Sequence, residues 1–220
     1  MARSVTPPPK SRFGREQSSR SLVRQIHIFT EGDVTEKEYL DLIKDMVRTH
    51  DTQHLCAEKS RINIKTSRNK SSPKNLRKTI QREIKHFEGK ELNEIWVLMD
   101  QDDWPSADIS KLRDDERIKA STDTYNVLIS RPKFEIWLLL HFDAAFGLLT
   151  SDDVDARLKK FIPNYGKHCD KTLFTLDKIS TAIRNAKKLR DLSHDVGSDV
   201  YRLIEHIFEL SKILTPSDGK

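Results

Sequence analysis

The stretch "LVRQIHIFTEGDVTEKEYLDLIKDMV", Leu22 to Val47, decides the fold. Its first part, "LVRQIHIF", is short, apolar and rich in β-branched residues, which predicts a strand. "TEGD" breaks the run. Tyr39, Leu42, Ile43, Met46 and Val47 then recur at helical spacing. Thr35 stands three residues before Glu38, the spacing of an N-terminal capping box. The unit reads as strand, tight turn, helix, with Tyr39 as a core residue.

The same unit repeats outward from there. "RINIKT" (Arg61 to Thr66) alternates as a second strand. Pro73 can open a helix whose apolar face carries Leu76, Ile80, Ile84 and Phe87. "EIWVLMD" (Glu94 to Asp100) has the unbroken apolar run of a strand buried on both faces. "YNVLIS" (Tyr125 to Ser130) is a fourth strand, and "KFEIWLLLHF" after Pro132 a buried helix. Strands and helices that alternate in this way predict an α/β domain, a parallel sheet flanked by helices. Beyond Phe146 no further strand is expected. Val154 to Ile162, Leu176 to Leu189 and Val200 to Leu214 read as helices, the last with Asp199 as its cap. Three segments follow: a disordered basic tail over 1–20, a core over 21–146, and a helical C-terminal extension over 147–220 that packs on the core.

Composition narrows the class. Of 220 residues, 36% are hydrophobic and 33% charged, with no apolar run of membrane-spanning length. The start is polar and basic rather than a signal peptide, and two cysteines make no disulfide framework. The expectation is a cytoplasmic protein that does not engage a membrane. The net charge of +5 is unevenly spread. Lys59 to Lys85 holds ten Lys/Arg against one acid, Glu83. Lys65, Arg68, Lys70, Lys74, Arg77 and Lys78 can track a phosphate backbone, DNA or RNA; they can equally coat exposed helix faces.

The acids gather at the strand ends, where open α/β sheets place their sites. Glu31 lies past the first strand, and Asp100, Asp102 and Asp103 at the end of the third. If those strands are neighbours, their carboxylates converge, and a divalent cation would resolve the repulsion. Hard oxygen donors in a loop suit Mg²⁺, or Mn²⁺. Asp100 and Asp102 face one way if the extended backbone continues, and Gly32 lets the chain turn sharply. Asp103 can instead cap the next helix. Glu36 can instead serve the helix dipole, as can Glu38. Glu135 opens an apolar helix and is expected at the same site. His141, six residues on, is read as packing or a buried hydrogen bond.

"TEGDVTEKEYL", "WVLMDQDDW" and "SRPKFEIWLLLHF", in that order, resemble the successive motifs of the RloB/AbiL-type proteins of bacterial phage-defence loci. The resemblance covers Gln25 to Phe142 and continues through "NYGKHCDK" and "GSDVYRLIEHI". Arg131 and Lys133 stand where members tend to carry Asn and Cys. It implies a Toprim-like fold, whose motif of a Glu and a later D-x-D falls on Glu31, Asp100 and Asp102. It also implies Mg²⁺-dependent phosphodiester hydrolysis of DNA or RNA. The catalytic set would be Glu31, Asp100, Asp102, Glu36 and Glu135. The metal ligands would be Glu31, Asp100, Asp102 and Asp103, with Glu31 also a candidate general base or acid. The alternative is a non-catalytic nucleic-acid-binding or regulatory module beside a partner ATPase.

Overall fold

The computed structural model describes residues 23–54, 60–66, 72–87, 89, 91–101, 104–192 and 196–213. The basic tail over 1–20, Asp102, Asp103, Arg68 and Lys70 lie outside the described residues. Four strands alternate with helices: β1 (Val23–Thr30), α1 (Thr35–His54), β2 (Ser60–Thr66), α2 (Pro73–Glu83), β3 (Glu91–Asp100), α3 (Ser106–Arg113), α4 (Glu116–Lys119) and β4 (Thr124–Arg131). There follow α5 (Glu135–Leu140), α6 (Ser151–Phe161), α7 (Leu176–Leu192), β5 (Gly197–Ser198) and α8 (Tyr201–Leu210). The sheet order is β2-β1-β3-β4-β5. The first four strands are parallel, and β5 pairs antiparallel with Ser130 and Arg131. This mixed α/β architecture is Rossmannoid in kind. Among the described residues no helix is long and apolar enough to cross a membrane.

Period-two alternation sorts the core into two layers. Ile26, Ile28, Trp96, Leu98 and Leu128 pack with α1, α5, α7 and α8 on one face. Phe29, Ile95, Val97, Met99 and Ile129 pack with α2, α3 and α4 on the other. Central β3 is buried without a break from Asn93 to Met99, which explains its continuous apolar run. Since α1 and α3 lie on opposite faces, strands are added outward in opposite senses from β1 and from β3, although the two run parallel. That is the switch point at which open α/β sheets leave a crevice.

Pro73 stands at the start of α2 as predicted, and Ser72 caps it by accepting from the Asn75 N–H. Three local expectations need correction. Beyond Phe146 there is a strand, β5; two residues are too short for any periodic signal. Asp199 does not cap α8, whose N-cap is Val200. Its carboxylate accepts instead from the Ile129 N–H at 3.3 Å and ties β5 to β4. Thr35 and Glu38 form no capping box. The Thr35 hydroxyl donates to the Lys167 carbonyl at 2.8 Å, and Glu38 accepts from His168 Nδ1 and from the Cys169 N–H. Both side chains are spent on tertiary contacts.

The C-terminal helices share the first core layer with the sheet. A buried ion cluster adds to this. Glu94 on β3 is fully buried and accepts from Arg24, from His206 of α8 at 2.6 Å and from Trp96 Nε1 at 3.1 Å. Burial alone would raise its carboxyl; the three donors win and hold it below the usual range. His141 is wholly buried, as packing and hydrogen bond together. Its Nδ1 donates to the Trp137 carbonyl at 2.9 Å, so Nε2 must accept from the Tyr39 hydroxyl at 3.1 Å.

Candidate active site

At the carboxyl ends of β1 and β3, a cleft of about 560 Å³ is lined by Glu31, Gly32, Glu36, Asp100, Lys133, Phe134, Glu135 and Lys167, among others. Strand register brings the acids together. β1 and β3 are direct neighbours with Thr30 opposite Leu98. The residue after Thr30 and the last residue of β3 therefore meet at one edge. The Glu31 N–H donates to the Leu98 carbonyl at 3.2 Å, which extends the ladder by one step.

Each carboxylate is held by a different donor. Glu31 accepts from the Asp100 N–H at 3.1 Å and from Trp104 Nε1 at 2.9 Å. Glu36, on the first turn of α1, curls back to accept from the Gly32 N–H at 3.0 Å. A Cβ at position 32 would stand 2.5 Å from Oε1 of Glu36 and closer still to Oε2. Glycine is needed there for the close approach of Glu36, not for an unusual backbone angle. Asp100 accepts from the Phe134 N–H. Glu135, first residue of α5, accepts from the Tyr165 hydroxyl at 3.0 Å.

Electrostatics follow from this crowding. Burial first, then Glu36, Glu31 and Glu135, push the Asp100 carboxyl up to about 9. Burial, together with Glu135 and Glu31, likewise raises Glu36. Hard oxygen donors whose charges repel are the donor set that suits Mg²⁺ or Mn²⁺. Among the described residues no three His, Cys, Asp or Glu side chains are arranged as a metal-binding group. Asp102 and Asp103 are not among those residues. The fit therefore rests on the chemistry of the donors: Glu31, Asp100, Glu36 and Glu135 offer carboxyl oxygens around one cleft.

The basic residues behave differently from one another. Lys65 is paired with Glu83, and Arg77 with Asp115 at 3.1 Å. Lys74 and Lys78 on α2 are exposed and have no ion-pair partner among the described residues. Sequence reading placed Glu31, Asp100, Glu36 and Glu135 at one site, and the fold brings these four together. It missed Trp104, Tyr165 and Lys167. Tyr165 and Lys167 lie 30 or more residues from Glu135, where no spacing rule reaches; their only sequence signal was the "NYGKHCDK" likeness.

A family model described as RloB-like protein matches residues 26–207. The match spans β1 to α8 and so includes every acid of the cleft. Comparison with curated proteins and with solved structures finds no match. The chain belongs to the RloB-like protein family.

Proposed function

We propose that this protein is a metal-dependent nuclease with a Toprim-like core of the AbiL-related type, acting in the cytoplasm in bacterial phage defence. Residues 21–146 are then the catalytic core, and 147–220 its extension. The observation that carries the reading is the meeting of Glu31 and Asp100, from two neighbouring strand ends at the switch point, with Glu36 and Glu135 in the same cleft. Glu31, Asp100 and Asp102 would hold Mg²⁺ or Mn²⁺, with Asp103 as a further ligand. Bound there, the ion supplies charge neutralisation for a phosphodiester and a lowered pKa for water.

The chain's own residues supply the rest. Trp104 and the Asp100 N–H fix the orientation of Glu31. Glu36, with its carboxyl raised, keeps proton affinity nearer to neutrality, which suits general acid or base work. Phe134 walls the cleft. Exposed Lys74 and Lys78 offer phosphate contacts on the approach; Lys65 and Arg77 are committed to ion pairs.

One observation favours a second reading. Both oxygens of Glu31 already accept from protein donors. A site tied up in this way also suits a nucleic-acid-binding or regulatory module that works with a partner ATPase. Incubation of the protein with DNA and RNA in Mg²⁺ or Mn²⁺, beside Asp100→Ala, separates the two. The nuclease reading expects cleavage that EDTA and the substitution abolish. Binding without cleavage under every metal and with the ATPase present would refute it.

A further inference from the structure

Two lysines line the acidic cleft, and they are in opposite situations. Lys133 Nζ is committed to Asp155 at 2.8 Å. Lys167 is exposed and has no ion-pair partner among the described residues, although Glu31, Glu36, Asp100 and Glu135 line the same cleft. Lys167 thus lines a cleft of four carboxyl groups and forms an ion pair with none of them.

The backbone says the same. Lys167 has φ +67, in the left-handed region that favours glycine. Gly166 stands next to it and is not the residue that takes this conformation. The strain is held in place by a latch. Thr35 donates to the Lys167 carbonyl at 2.8 Å, and Glu38 accepts from His168 Nδ1 and the Cys169 N–H, both at 2.8 Å. Tyr165, two residues before, reaches Glu135. The segment is therefore fastened to both α1 and α5, the two helices that carry Glu36 and Glu135. Strain that the surroundings over-determine is typical of a functional position.

The geometry points to Lys167 as the residue that contacts a phosphate of the bound nucleic acid at the mouth of the acidic cleft. This inference rests on the nucleic-acid reading above. Its flexible four-carbon stem and compact ammonium suit a point contact with a phosphate oxygen. Glu31, Glu36, Asp100 and Glu135 line the same cleft and would hold the ion that neutralises charge on that phosphodiester.

The test is binding of short single-stranded DNA and RNA oligonucleotides to the full chain in Ca²⁺, over a range of salt. Lys167→Met is expected to weaken binding roughly tenfold at low salt and to lower the salt slope by about 0.7–0.9, one contact's worth. Lys167→Gly should do the same while its melting temperature holds or rises, because glycine adopts this backbone without cost. Lys167→Arg should keep both affinity and slope. Wild-type affinity and slope in the Met and Gly variants would overturn the assignment and leave the nucleic-acid reading standing. Equal loss in Met, Gly and Arg variants would also overturn it, as the mark of a latch rather than a contact. A wild type that binds neither oligonucleotide would bring down both inferences together.

Discussion

Replacing Asp100 with asparagine should make the metal-free protein more stable. The carboxyl stands at about 9 against an ordinary 3.8. A folded value above the unfolded one means stability fully present below the unfolded value and lost as pH rises towards the folded value. At pH 7 about three of those pH units have been traversed, so the ionisable group costs about 4 kcal/mol at most. Asparagine carries no charge, and its Oδ1 can keep the bond from the Phe134 N–H. Relaxation and water entry lower the gain, and about 2–4 kcal/mol is expected in urea unfolding at pH 7 with EDTA. At pH 5 the gap should shrink to about 1–2 kcal/mol, since most of the titration lies above. Saturating Mg²⁺ should stabilise the wild type and leave the Asn variant nearly unmoved. Equal stabilities in EDTA at pH 7, or a gap unchanged at pH 5, would refute the argument that crowded carboxylates are paid for by an ion.

Two further perturbations probe neighbouring parts. Gly32→Ala should still fold, at a cost of about 1–3 kcal/mol, since the buried Glu36 carboxyl must move and the Gly32 N–H loses its acceptor. It should cost about tenfold in the Mg²⁺ response, because Glu36 loses the Gly32 N–H; an unchanged Mg²⁺ titration would show that Glu36 plays no part. Burial holds the imidazole of His141 down at about 3, below its ordinary 6.5, so the unfolded chain takes up a proton first as pH falls. Between pH 7.5 and 5 the wild type should lose about 2 kcal/mol that His141→Gln does not, read by urea unfolding at both pH values; parallel losses would count against it.

The sequence by itself determined the elements and their order. Alternation and helical spacing are local, so the four parallel strands, the helices α1 and α2 and the unbroken burial of β3 were legible from short windows; α3 and α4, short and mostly polar, were not named. It also determined which acids stand at strand ends: Glu31, Asp100, Glu36 and Glu135 could be named because topology sends parallel strand ends to one edge. Tertiary structure alone decided what those acids touch. Thr35 and Glu38 look like a capping box, and nothing in their spacing says that Lys167, His168 and Cys169 will claim them instead. Arg77 and Lys65 look like members of a basic track until Asp115 and Glu83 arrive from other elements. Trp104 and Tyr165 meet Glu31 and Glu135, and Lys167 meets the cleft, only through the packing of loops and helices across the sheet. Local periodicity records which face of an element is buried; which side chain waits on the far side is fixed by contacts between distant residues, and no short window of sequence contains both partners.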